Sequence, residues 1–482
     1  MLTASDPDSC IISHTPTNAH KSREDLMTRH RNIPGTAIWT LALGFLVPLG
    51  TQAQTNPPPG RMVFALTGDA IITQRLSPFE EPEYLAMIDL IRRADLAFTN
   101  LEVLFHSYTE GYPSAHSGGT WMAAEPYLAG ELVWAGFDMV STANNHTMDY
   151  GAGGLRSTIR ALDDVGLVHA GAGENLARAR APAYLETPGG RVALISFAST
   201  FADEARAGPQ RADIRGRPGL SPLRYSNTYV VSESSIDKLK QVHSDLGYGA
   251  NPVGNTLRFL GNTFEAGDPP GRRTTVNQDD LDQIVGAVAE ARRQADWVVV
   301  TSHSHESGSS REVPAQFIEL VAHAVIDAGA DLFVGHGPHV LRGIEIYSGK
   351  PIFYSLSNFI FQNETVRYLP GDFYVEQDLR AESNAADGFD RRNERGRGGF
   401  PGQSIYWESV VAVPTFSDGS LDEIILYPIT LGHGKPRPQR GRPRLADAEA
   451  GRRIIEKLAE LSGPYGTEVK YVAARNVGVI RR

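Results

Sequence analysis

Five times along this chain a short apolar stretch runs directly into Asp, Asn, Glu or His. Residues 62–68 lead to Asp69, residues 96–99 to Asn100 and Glu102, and residues 139–143 to Asn144, Asn145 and His146. Residues 298–302 lead to His303 and His305, and residues 332–335 to His336 and His339. Taken singly, each cluster has an ordinary explanation. Asp69 could cap a helix or turn, Asn144 and Asn145 could be turn residues, and His303 or His305 a half-buried, hydrogen-bonded histidine. Taken together, they supply two carboxylates, amide oxygens and several imidazoles, the ligand set of divalent Mn, Fe, Co or Zn. One or two such ions can polarise a scissile bond and activate water, so the joint pattern points to metal-dependent hydrolysis.

These donors converge only if the chain brings them to one edge. Continuous runs of Val, Ile, Leu and Phe of this length read as strands buried on both faces. Each polar cluster then sits at a strand's carboxyl end, where α/β sheets bind ligands. Helical patterns alternate with the strands: residues 83–93, 128–135 and 155–165, and later 278–293 and 316–328. Residues 192–197 and 352–360 add strands, the second carrying Asn358. Such alternation implies an α/β layered fold. The main domain is expected over 61–365, interrupted at 201–275 by a long insertion rich in Gly, Pro, Ser and Arg. Residues 366–403 form a second insertion whose interleaved Arg and acidic residues read as a solvated loop. Residues 404–482, with strand-like runs at 410–416 and 424–429 and a helix at 446–461, read as the tail completing the domain.

With 482 residues, 41% of them hydrophobic, the chain can bury a large core. A net charge of −10 argues against nucleic acid as a partner and requires a local cationic site for any anionic substrate. Arg29 and Arg31 precede an apolar run at 37–49, followed by Thr51-Gln52-Ala53. That order is a signal peptide within residues 1–53, with export to a periplasmic or extracytoplasmic location and translation starting at Met27. An uncleaved membrane anchor is the alternative, although the run is short for a span. The one cysteine, Cys10, precedes the signal, so the exported protein would use neither disulfides nor thiol chemistry.

The motifs Gly68-Asp69, Asn100-Leu101-Glu102, Ala143-Asn144-Asn145-His146 with Asp149-Tyr150-Gly151, and Gly335-His336-x-Pro338-His339 resemble the CapA-type poly-γ-glutamate capsule biosynthesis family. Gly171-Ala172-Gly173 and Tyr354-Ser355-Leu356-Ser357-Asn358-Phe359 extend the resemblance across residues 62–362. That family is related in fold and site layout to the calcineurin-like metallophosphoesterases. The resemblance implies a four-layer αββα sandwich of mixed β-sheets flanked by helices, with loop insertions. Carried over residue by residue, it makes Asp69, Glu102, Asn145, His303, His336 and His339 the ligands of one or two divalent ions, with Glu102 bridging. His146 is then free to protonate a leaving group, and Asp149 to orient its imidazole, although Asp-Tyr-Gly is equally an ordinary turn. His305, two residues beyond His303, shares its strand face if the strand continues and is a further catalytic candidate. Asn100, Asn144 and Asn358 are candidate substrate contacts.

The chain departs from the pattern in three places. Ile71 stands where metallophosphoesterases carry a histidine two residues after the first Asp. His303-Ser304-His305-Glu306 replaces the common His-Trp-Gly-x-Glu, and Gly337 replaces a histidine. The function expected is an exported, metal-dependent hydrolase acting on an amide, peptide-like or phosphate ester bond in an anionic envelope polymer or its precursor, alongside membrane-bound capsule synthesis machinery. The alternatives are a non-catalytic, metal-binding assembly or transport factor and a metallophosphodiesterase.

Overall fold

The computed structural model describes residues 60–249, 252–380 and 382–481. The segment expected to be a signal peptide, with Met27, Arg29, Arg31 and the apolar run, lies outside them. Among the described residues no helix is long and apolar enough to cross a membrane.

Two large sheets carry the architecture. In the first, the strand Arg61–Ile71 lies at the centre, parallel to Leu96–Leu101, which is followed by Met139–Ser141 and Val168–Ala170. On its other side the antiparallel strands Glu408–Ser417 and Ser420–Thr430 continue the sheet, and Asn358–Phe361 pairs with its carboxyl end. In the second sheet, Trp297–His303 runs parallel to Gly190–Ala198 on one side and Leu332–His336 on the other. Lys350–Phe353 and Ile344–Tyr347 extend one edge and Ala183–Thr187 the other.

Alternation along each strand decides what the sheets face. Met62, Phe64 and Leu66 point into a layer shared with Val192, Leu194, Val299 and Val334 of the second sheet. Phe64 packs edge-on against Trp297 across that layer, ring centroids 5.9 Å apart. Ala65 points the other way, against Met87 and Ile91 of the helix Pro82–Arg92 and Leu132 of Ala129–Ala135. Val298, Val300 and Phe333 likewise back onto the helices Gln278–Arg292 and Gln316–Asp327 through Ile284, Val288, Phe317 and Val321. The strands are apolar on both faces because both faces are covered, giving the expected four layers of helix, sheet, sheet and helix.

Both insertions hold more regular structure than their composition suggests. Within 201–275, Tyr225–Val231 joins a five-stranded sheet with Asn262–Ala266, Gly271–Val276, Thr256–Phe259 and Pro252–Val253. The helix Glu233–Asp245, N-capped by Ser232, covers it through Ile236, Leu257 and Phe259. These strands are short and rich in Thr, Asn and Arg, so no apolar periodicity announces them. Residues 366–403, expected as a solvated loop, instead contain the helices Gly371–Glu376 and Ala385–Arg392, the second started by an Asn384/Asp387 capping box. Phe373 and Phe389 are buried between them at 5.7 Å. Two aromatics are enough apolar surface to order a segment that is otherwise charged.

Candidate metal centre

The parallel registers set Asp69 opposite Asn100, Asn100 opposite Ser141, and His303 opposite His336, so both sheets end on the same side of the sandwich. A register shift between Leu66 and Asp69 turns the aspartate into the crevice between them. Gly68 makes that turn feasible. A Cβ there would lie 2.0 Å from the Ser357 carbonyl oxygen, whose role is to accept a 2.9 Å hydrogen bond from the Asp69 amide.

Five of the predicted residues meet at one point. His303 Nδ1 lies 3.6 Å from Asp69 Oδ1 and its Nε2 3.6 Å from Glu102 Oε1. His339 Nδ1 lies 3.5 Å from Asp69 Oδ2 and its Nε2 3.7 Å from Glu102 Oε1. His305 Nε2 is 3.0 Å from His303 Nε2. Two triads have donor atoms within 4.8 Å of one another, Asp69 with Glu102 and His303, and Glu102 with His305 and His339. Glu102 belongs to both. Where the family pattern's first histidine is missing, Ile71 is buried in the apolar layer under the helices and contributes nothing here. His305 supplies an imidazole instead, from the loop that begins where the strand Trp297–His303 ends.

His146 stands at the rim of this cluster, Nε2 3.9 Å from Glu102 Oε1. Its Nδ1 lies 2.6 Å from Asp149 Oδ2, and Asp149 is itself fixed by amides donated from Gly118 at 2.9 Å and Met122 at 2.8 Å. Asp149 is therefore a built partner of the imidazole as well as a turn residue. Asn145 donates from Nδ2 to the Gly118 carbonyl at 2.7 Å, which leaves its Oδ1 buried without a partner. Gly118 was not anticipated. It lies in the stretch between Phe105 and Met122, which has no periodicity to mark it, and a Cβ there would come within 2.8 Å of Asn145 Nδ2 and His146 Nδ1.

The remaining predicted residues are placed differently from expectation. His336, expected as a ligand, has Nδ1 3.1 Å from Thr301 Oγ1 and Nε2 3.3 Å from the Thr67 carbonyl, so both nitrogens face protein partners beneath the cluster. Asn144, Asn100 and Asn358 were candidate substrate contacts, but each is fully buried. Asn144 braces its own loop, donating to the Leu101 carbonyl at 2.7 Å and accepting from the His146 amide at 3.0 Å. Asn100 donates to Asp69 Oδ1 at 2.8 Å, with His303 Nδ1 at 3.1 Å, and Asn358 Oδ1 lies 2.9 Å from His339 Nδ1. All three orient neighbours. His339 adopts a left-handed φ of 59° and Gly337 one of 110°, and the Gly337 amide donates to Asp69 Oδ2 at 3.1 Å. A side chain at 337 would press on the Ser304 backbone at 2.9 Å, which accounts for glycine here.

The electrostatics are those of a site short of positive charge. Burial pushes the Asp69 carboxyl up, but hydrogen bonds and charge from His303 and His339 outweigh it and hold the group well below the usual range. Burial, with the charges of Asp69 and Asp149, drives Glu102 well above its usual value. Both Glu102 oxygens and Asn100 Oδ1 are buried without any hydrogen-bond partner. Leaving buried acceptors unsatisfied costs about 1–3 kcal/mol each, so the donor set fits a cation between its members.

The family model of the bacterial capsule synthesis protein PGA_cap matches residues 63–363, which include every residue of this cluster. The chain belongs to that family. An uncharacterized protein of Sinorhizobium fredii is 37% identical over 89% of this chain and 94% of its own. The capsule biosynthesis protein CapA of Bacillus anthracis is 32% identical over 48% of this chain and 42% of its own. A probable polyglutamine synthesis accessory protein of Mycobacterium tuberculosis is 27% identical over 46% of this chain and 45% of its own.

Proposed function

We propose that this PGA_cap protein is an exported, metal-dependent hydrolase acting on an anionic envelope polymer, or its precursor, during capsule synthesis. The observation that carries the reading is Glu102, a buried carboxylate with two unpartnered oxygens shared by two donor triads. Asp69, Glu102 and His303 would hold one divalent ion, and Glu102, His305 and His339 a second, with the buried, unpartnered Asn145 oxygen as a further candidate donor. Mn, Fe, Co and Zn all suit imidazole and carboxylate donors. Such an ion, when bound, supplies Lewis acidity at the scissile bond and makes water a better nucleophile. The protein's own residues do the rest. Asp149, accepting from Nδ1–H, orients the His146 ring so that Nε2 can take up a proton and deliver it to the leaving group. Asn100 and Asn358 keep the His303 and His339 rings turned toward the cluster.

The names of the capsule relatives speak of synthesis, which favours as second reading a non-catalytic factor that grips polymer through the same cluster. One experiment separates them. Protein purified without added metal is analysed for Mn, Fe, Co and Zn and then incubated with γ-glutamyl oligomers and phosphodiesters. The hydrolase reading expects one or two ions per chain and cleavage of a γ-glutamyl or phosphoester bond, both lost in Glu102→Gln. A metal-loaded wild type that cleaves neither substrate yet binds the oligomer supports the second reading, and a wild type without metal refutes both.

A further inference from the structure

A basic crevice lies apart from the metal cluster and plays no part in the chemistry above. Lys435, Arg440, Arg442 and Arg444 line a cavity of about 240 Å³ together with Glu81 and Gln439. Its cations outnumber its carboxylates. Glu81 accepts from both Arg442 and Arg444, and Glu364 accepts from Arg440 while Arg437 also approaches it at 3.6 Å. Arg442 is more than nine-tenths buried, with its guanidinium carbon 3.3 Å from the centre of the Phe79 ring. That stacking fixes the plane of the fork, yet its Nη1 finds no acceptor, and Arg440 Nε is likewise buried without one. Burial and the charges of Arg444 and Arg442 push the Lys435 ammonium below its usual range, as expected where cations crowd without enough counter-charge.

The crevice is also tied to the cluster. Phe361 donates to the Gly441 carbonyl at 2.8 Å, and a Cβ at Gly441 would lie 2.2 Å from the Phe361 oxygen, so the Arg-rich segment lies flat on the Asn358–Phe361 strand. Asn358 holds His339 at one end of that strand, and Gln362 lines the crevice just past the other. At the rise of an extended chain, four residues span about 13 Å.

We propose that this crevice is an anion subsite that takes a carboxylate of an extended polyanion whose neighbouring units reach the metal cluster. The identity of that polyanion rests on the function proposed above. Arginine forks suit carboxylates because two parallel N–H groups match two oxygens, and a repeating polyanion offers a second carboxylate at the distance the strand sets.

The test is calorimetric binding to His146→Ala protein, which the proposed function makes slow in turnover while keeping its metal, with and without the added pair Lys435→Gln and Arg444→Gln. Lys435 is exposed and Arg444 is 17% exposed against 7% for Arg442, which is packed on Phe79 and left intact. The probes are an oligomer of γ-linked glutamate, free glutamate and inorganic phosphate. The oligomer is expected to bind with an affinity that falls as salt rises, and at least about tenfold more weakly in the added pair at an unchanged thermal midpoint. Equal affinity with and without the pair, no oligomer binding, or phosphate binding more tightly than the oligomer would each overturn the proposal. Failure of the wild type to cleave anything, by contrast, refutes the hydrolase and leaves this binding measurement intact.

Discussion

His146 has one nitrogen committed and one free. The 2.6 Å contact from Nδ1 to Asp149 fixes the ring, and Nε2 faces the cluster 3.9 Å from Glu102. Under the proposed function, His146→Ala keeps its metal, because no triad contains it, and loses about 10² to 10⁴ in turnover, the usual contribution of a positioned acid. Metal content and rate are measured on the same preparation, and a metal-loaded variant turning over at the wild-type rate ends the general-acid role. Glu102→Gln differs in kind, losing metal and rate together, since both triads share that carboxylate.

Between elements, a buried ion-pair cluster joins the 201–275 insertion to the sandwich. Asp280, in the first turn of the helix Gln278–Arg292, accepts from Arg180 at 2.6 Å, and from Arg224 through its backbone amide at 2.9 Å and Nε at 2.7 Å. Arg180 also donates to the Pro222 carbonyl at 3.0 Å, so one aspartate gathers three segments. Burial raises the Asp280 carboxyl, but the Arg224 hydrogen bonds and both guanidinium charges prevail and its pKa is lowered. A depressed folded value means that the stabilisation is present above the unfolded pKa of about 3.9 and is lost as pH falls through the folded one. Asp280→Asn is therefore expected to cost about 3 kcal/mol at neutral pH, with the gap to wild type narrowing below about pH 4. Denaturant midpoints across that range check it, and parallel curves for the two proteins would exclude this pair as the origin of acid sensitivity.

For the whole molecule, the proposed role in capsule synthesis requires the protein to meet polymer outside the cytoplasm. The basic residues, short apolar run and Thr51-Gln52-Ala53 predict a mature terminus near Gln54. Amino-terminal sequencing of protein from the native host tests this. A soluble cytoplasmic protein retaining Met27 would refute export, whereas a membrane-bound chain retaining it would mark an uncleaved anchor.

Much of the centre was legible in the sequence because buried strands in a two-sheet sandwich leave a local signature. Both faces of Val298, Val299 and Val300 are covered, so the run is apolar without alternation, and the first polar residues after it fall at the strand end. That is enough to place Asp69, Glu102, His303 and His339 in polar clusters at strand ends and to anticipate layers of helix and sheet, while their reading as ligands came from the resemblance of the motifs. Tertiary structure alone decided where each ring points. His336 and His339 share one motif, but His336 ends a strand with its ring held by Thr301 and Thr67, while His339 follows a glycine turn in left-handed geometry and faces Glu102. His305 joins the cluster and Asn144 does not for the same reason. Sequence spacing sets how far along the chain a donor sits, whereas direction depends on backbone angles and on contacts from residues more than a hundred positions away.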